Sequence, residues 1–307
     1  MIEKLRAYVE ILKPPLIPYG IAMAMAAAML TTYFSYKDLP SLRDLALLIV
    51  GVNCGISGAY AFNDYCDAEI DRINFPNRPI PSGRVSRTEV LLYSIVLYII
   101  AAAIAYYFNP ETLIVFIIAA AFINAYSSFL RRYYLSPLAS SISAALIFIG
   151  VGLALNPAGI LKADNYGDIL PIPVLLLALW MFFANTAHVL SDASGDIEGD
   201  RKYGKITLPA KFGIPFASKI ILLNNAAAIL ITIVLGYTVH LGIIYWIGVV
   251  VGGGFMLKWC FDFVKDPTPA RGDANFVKEA IYWTVFYVAI ITDLLFCATF
   301  QQYPIPF

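Results

Sequence analysis

Nine stretches of about 20 mostly apolar residues, the length that crosses a bilayer as a helix, follow one another along this chain. They lie near 15–36, 45–65, 88–108, 111–130, 135–155, 170–191, 217–237, 241–261 and 278–300. The breaks between them have loop chemistry: Lys37-Asp38 with Pro40, Asn109-Pro110, Asn156-Pro157, and a polar stretch from 192 to 216. Only "RRYY" separates the fourth run from the fifth. The fold expected is all-α, an integral membrane bundle of nine transmembrane helices around a central cavity. Composition agrees, because 14% charged residues against 60% hydrophobic ones leave too little polar surface for a water-soluble domain, which carries about 25% charge.

Lys and Arg accumulate on the cytoplasmic side of membrane proteins. With the N-terminus inside, 18 of the 21 basic residues fall on the inner side, and only Lys37, Arg43 and Lys162 fall outside. Nine spans with a cytoplasmic N-terminus are therefore expected, in a multi-pass protein of the cell membrane. Net charge is zero, so nothing suggests nucleic acid. The sequence implies no obligate protein partner, only membrane lipids around the bundle. Cys54, Cys66, Cys260 and Cys297 form no CxxC pair and read as buried free thiols. The segment "MIEKLRAYVEILKPP" lacks the short apolar core of a cleaved signal peptide.

Against this apolar background the stretch "FNDYCDAEIDRINFPNRPIPSGR" at 62–84 is dense in charge. Asn63, Asp67 and Asp71 recur at every fourth position, with Asp64 beside the first. That spacing puts them on one helical face. Asp192, Asp196 and Asp200 in "SDASGDIEGDRKYG" repeat the spacing after the sixth run. Both rows fall on the inner side by the charge count. Stacked carboxylates repel, steeply so in a cavity of low dielectric, and a bound cation relieves the repulsion. With only oxygen donors and two histidines in the chain, the ion expected is Mg²⁺, which favours a few carboxylates together with phosphate oxygens. Two facing rows would hold two ions bridged by a diphosphate. Arg72, Arg78, Arg131, Arg132, Lys202 and Lys205 lie beside the rows as candidate phosphate ligands, with Arg201 among them. The loop "NFPNRPIPSG" holds three prolines and a glycine and reads as a stiff cover.

Several residues have two readings. Tyr60 and Tyr126 are ordinary membrane-protein aromatics on count alone, but Tyr126 precedes Arg131 at the same inner end. His188, one turn before Asp192, either orients that carboxylate or packs on a helix face. Asn53, Gly51, Gly55 and Gly58 suggest close helix packing.

At these residues the chain resembles the UbiA superfamily of intramembrane prenyltransferases. "NDYCDAEID" (63–71) and "DASGDIEGD" (192–200) stand where that superfamily carries NDxxxD-type and DxxxD-type motifs, at the inner ends of helices two and six. The likeness covers essentially the whole chain and implies one domain, 1–307, with cap loops near 66–87 and 192–216. It also implies that Asn63, Asp67, Asp71, Asp192 and Asp196 hold Mg²⁺ on a polyprenyl diphosphate, with Asp64 and Asp200 as further participants. Tyr126 with Arg131 resembles the family's Tyr…Lys-Arg stretch after helix four, and the resemblance gives catalytic roles to Asp67, Asp71, Asp192, Asp196 and Tyr126. The motif regions are most similar to archaeal digeranylgeranylglyceryl phosphate synthases and (bacterio)chlorophyll synthases. Lys13-Pro14 and "LSPLASS" (135–141) depart from the usual pattern.

The resemblance implies Mg²⁺-dependent transfer of a polyprenyl group, geranylgeranyl first, to a lipophilic acceptor. The acceptor expected is geranylgeranylglyceryl phosphate, with an aromatic quinone precursor or a chlorophyllide-like ring as alternatives. A membrane transporter with an acidic cation path is the rival class. Transporters place ionisable groups near mid-membrane, whereas these lie at span ends on one side.

Overall fold

The computed structural model describes residues 2–156, 170–195, 197–202 and 204–300. The chain forms α1 (Ile2–Ile11), α2 (Ile17–Tyr36), α3 (Leu42–Cys66), α4 (Ala68–Asn74), α5 (Arg87–Phe108), α6 (Pro110–Ser128), α7 (Ser136–Ala154), α8 (Ile172–Gly195), α9 (Ile197–Lys202), α10 (Leu208–Phe212), α11 (Ile214–Val239), α12 (Ile243–Lys265) and α13 (Pro269–Phe300). Among the described residues nine helices are long and apolar enough to cross a membrane.

These helices close into a ring. Each long helix packs on the next in chain order, from α2 and α3 through α5, α6, α7, α8, α11 and α12 to α13, and α13 returns to α2. Contacts of α8 with α13 and α2 cross the ring and draw α8 inward. Its interior is filled by Trp180, Phe148, Phe286 and Tyr287, all essentially inaccessible. Trp180 and Phe286 ring centroids stand 4.4 Å apart.

Local chemistry sets the helix ends. Ser41 accepts from the Asp44 N–H at the start of α3, and Ser86 with Glu89 forms a complete capping box on α5. Asn109 caps α6 by accepting from the Thr112 N–H at 2.7 Å, with Pro110 at the first helical position, where its missing N–H costs nothing. On the long α3–α5 seam, Gly58 lets the Tyr98 ring come within 3.0 Å of where a Cβ would stand. Asn53 returns its amide to the Ile49 carbonyl, 2.8 Å away.

Two boundaries differ from the sequence expectation. The last span begins at Pro269 rather than near 278, because its first turns carry Arg271, Asp273, Lys278 and Glu279 and hide from an apolar-run criterion. The first acidic row also crosses a helix break instead of lying on one helix. Asp67 is the residue between α3 and α4, at φ −86° and ψ 4°. Through that break the N–H groups of Asp67 and Asp71 still reach the carbonyls four residues back, at 2.9 and 2.8 Å, so the row stays roughly aligned.

At the opposite end of the bundle, buried Asp293 of α13 accepts from the N–H groups of Gly242 (2.6 Å) and Tyr245 (3.3 Å), satisfying the start of α12. Asp293→Ala orphans those donors and should cost about 1–3 kcal/mol. Thermal unfolding in detergent checks this, with prenyl chemistry at the far end expected to persist.

Candidate active site

The ends of α3 and α8 deliver both acidic rows to the same end of the ring. From the first row, Asp67 pairs with Arg131, which lies in the 3₁₀ turn Leu130–Arg132 between α6 and α7. With the Asn63 amide turned so that both its atoms are satisfied, its nitrogen donates to Asp67 Oδ2 at 3.2 Å. Its oxygen then accepts from Arg131 Nη1, also at 3.2 Å. From the second row, Asp192 and Asp200 line a cavity together with Arg131, Tyr126, Lys205 and Thr207. Arg131 therefore stands where the two motifs meet. Burial opposes its charge, but the phenol oxygen of Tyr126 and the carboxylates of Asp67 and Asp192 outweigh that, and its proton is held above the ordinary arginine range. The Tyr126 ring lies 5.8 Å from the guanidinium carbon.

Three further motif aspartates each have a cation of their own. Lys13 Nζ reaches both oxygens of Asp64, at 3.1 and 3.0 Å. Arg78, from the proline-rich loop, donates to Asp71 at 2.8 Å, and Lys205 stands 3.4 Å from Asp200. Lys13 sits in the left-handed region at φ 53°, a conformation that costs a non-glycine residue energy. The turn it makes ahead of Pro14 aims its side chain under the first motif.

Not every expected ligand is at the chamber. Arg72 is 62% exposed and pairs with Glu69 on the outer surface, facing a groove shared with Lys4, Arg84 and Arg87. Arg132 and Lys202 are exposed, and the Arg132 carbonyl instead accepts from the Ile206 N–H at 2.9 Å. Arg201 is exposed too, with a long contact to the Ala210 carbonyl. Asp196 lies outside the described residues. In the other direction, Lys13 is a site residue to which the sequence pattern assigns no role, although a basic residue directly before Pro-Pro at the first span is a visible signal. Thr207 and Ser136, which also line the cavity, carry no sequence signal.

His188 faces α13 rather than pairing with Asp192 in any contact shown. Its ring stacks on Phe276 at 3.9 Å and 17°, and its Nδ1 lies 3.3 Å from Glu279 Oε2.

The donor set suits a hard divalent ion. Asn63 and Asp67 already turn oxygens towards one positive group, with Asp192 across from it, and all are oxygen donors. Among the described residues no three carboxylate, imidazole or thiol groups converge tightly enough to ligate an ion as they stand. An ion placed there would compete with Arg131 for Asp67.

The family profile described as the UbiA prenyltransferase family matches residues 21–291. The chain belongs to this family. It is a multi-pass membrane prenyltransferase. A digeranylgeranylglyceryl phosphate synthase from Thermococcus sibiricus is 32% identical over 288 residues, covering 92% of this chain and 96% of the relative. The fold matches the apo structure of a UbiA homolog from Aeropyrum pernix K1 at TM-score 0.73, with 21% identity over 90% of this chain and 97% of that one. It also matches a UbiA homolog from Archaeoglobus fulgidus bound to GPP and Mg²⁺, at TM-score 0.61 and 17% identity over 93% and 99% of the two chains.

The Lys13–Asp64 pair is open to a direct test. The Asp64 side chain is 7% exposed, so Lys13→Ala strands a buried charge and should cost about 3 kcal/mol. Lys13→Ala combined with Asp64→Asn should recover most of that loss, as read from the melting temperatures of the four proteins in a double-mutant cycle.

Proposed function

We propose that this prenyltransferase moves a geranylgeranyl group from its diphosphate to the hydroxyl of geranylgeranylglyceryl phosphate, forming an ether lipid precursor. The observation that carries the reading is the meeting of both acidic motifs at Arg131, at one end of a membrane-spanning ring. The naming of full-length relatives as digeranylgeranylglyceryl phosphate synthases favours the glyceryl acceptor over a quinone precursor or chlorophyllide-like ring.

In this reading Asn63, Asp67 and Asp71 from the first motif, and Asp192 and Asp196 from the second, hold Mg²⁺, with Asp64 and Asp200 supporting them. The ion's contribution is to offset negative charge on the departing diphosphate. Arg131, Lys13, Arg78 and Lys205 exchange their aspartates for phosphate oxygens, and such charge-assisted bonds strengthen as charge develops on the leaving group. Arg72, Arg132 and Lys202 are available at the rim to attract the anionic substrates rather than to clamp them. Tyr126 flanks the reacting carbon with an aromatic face suited to an allylic cation. The apolar interior keeps water from that cation. The basic-residue asymmetry supports a cytoplasmic position for this end of the ring and for the N-terminus.

The test is to incubate purified protein with geranylgeranyl diphosphate, Mg²⁺ and a small acceptor panel, then identify the product by mass. An ether with geranylgeranylglyceryl phosphate is expected, and Asp67→Ala or Asp192→Ala should abolish it in protein that remains folded. Undiminished turnover in either variant refutes the assignment. Cation-driven transport without release of diphosphate would favour the transporter class instead.

A further inference from the structure

Behind the second motif lies a polar knot with no role in metal or diphosphate binding. Glu279 of α13 is fully buried. Its Oε1 accepts from Asn225 (2.8 Å), Asn275 (2.9 Å) and Ser191 (3.2 Å), drawing in α11, α13 and α8. Its Oε2 is kept apart. That atom and His188 Nδ1 are both buried and neither makes a hydrogen bond among the described residues, although they stand only 3.3 Å from each other, so a small turn of the ring would pair them. A carboxylate facing one imidazole nitrogen fixes the tautomer with the proton on that nitrogen and leaves the other, Nε2, as a base.

The ring is also fixed in orientation. Phe276 stacks on one side at 3.9 Å, and Trp283 lies tilted at 4.6 Å. The His188 side chain is 17% exposed although Nδ1 is sealed, so the accessible part is elsewhere on the ring. His188 precedes Asp192 by four residues, which places it on the same face of α8 and about 6 Å deeper in the membrane. Its neighbours Val189 and Leu190 line the cavity with Asp192 and Ala193, and His188 lies just outside that lining, at its membrane side. Beneath lie the aromatics: Tyr19 stands 5.7 Å from Trp283, and Trp180 6.2 Å.

A diphosphate held at the aspartates projects its C1 carbon into the membrane side of the chamber, about one helical turn below. That is the level of His188. We propose that His188, oriented by Glu279, is the proton acceptor for the acceptor's hydroxyl. As the acceptor oxygen forms its bond to C1, the bond from C1 to the diphosphate oxygen breaks and its electron pair leaves with diphosphate. The hydroxyl proton passes to His188 Nε2. Glu279 stabilises the imidazolium, which returns the proton to the chamber after diphosphate leaves. Glu279 is a positioning residue and His188 a catalytic one. Besides Glu279, the charged or titratable groups nearest the knot are Asp192 one turn along α8 and Cys260 of α12, whose sulfur lies 4.0 Å from Asn275.

This inference rests on prenyl transfer to an oxygen nucleophile, so its test separates ionisation from capture. Geranylgeranyl diphosphate labelled with ¹⁸O in the bridging position reports reversible C1–O cleavage by label exchange without acceptor. The transfer assay reports capture. His188→Gln should exchange label within about twofold of wild type while transfer falls roughly 10²- to 10⁴-fold, the range of a lost general base. Glu279→Gln, which keeps the Oε1 hydrogen bonds, should give a smaller but equally selective loss. It carries the test if His188→Gln does not fold. Transfer within tenfold of wild type in the folded variant, or parallel loss of exchange and transfer, overturns the proposal. Wild-type protein showing neither exchange nor transfer would instead overturn the assignment as a glyceryl ether synthase.

Discussion

The pairing of Asp67 with Arg131, opposite Asp192, is the contact around which this end of the molecule is organised. Acidic side chains from two helices cannot approach one another in a low-dielectric chamber unless positive charge lies between them. Here the protein supplies that charge itself, from Arg131 and from Lys13, Arg78 and Lys205 at neighbouring carboxylates. Each of these cations comes from a segment just outside a long helix. The carboxylates are thus held ready, and in the proposed reaction the same cations turn to phosphate. Breaking a buried pair by removing one partner is costly, whereas exchanging one anionic partner for another is not.

The ring of nine helices places this arrangement and limits it. α8 is drawn inward against α13 and α2, so the second motif projects from the most enclosed helix in the ring. A Cβ added to Gly272 would stand 2.8 Å from the Gly195 nitrogen and 3.0 Å from the Ser191 carbonyl oxygen, so the start of α13 can approach the end of α8 this closely only with glycine at 272. The acidic rows thus leave the membrane beside a close helix contact, and the interior below them is apolar and aromatic.

Much of this is legible in the sequence because it depends on period and sign. Apolar runs of one length specify the spans, and four-residue spacing brings out both acidic rows. Contact between distant segments stays hidden. Arg78 and Arg72 look equivalent beside the first row, yet Arg78 turns inward to Asp71 while Arg72 faces water with Glu69. Spacing within one segment cannot tell them apart, since the outcome is set by the proline-rich loop. Lys13 stands out locally before Pro14-Pro15, but its partner, 51 positions away, is not legible. Glu279 is equally silent, since it sits at the very edge of the ninth apolar run and its partners come mainly from other helices. The His188–Glu279 approach is likewise a product of tertiary packing, 91 residues apart in the chain.

For this chemistry both rows must grip one ion–diphosphate assembly. Titration with Mn²⁺ in the presence of a prenyl diphosphate analogue, followed by electron paramagnetic resonance, measures that grip directly. Asp67→Asn and Asp192→Asn should each weaken the same bound complex by about tenfold or more, roughly 1.4 kcal/mol, and the double variant should lose less than the two effects added. Binding that survives unchanged in either single variant would mean that the two rows do not share a site, contradicting the shared clamp.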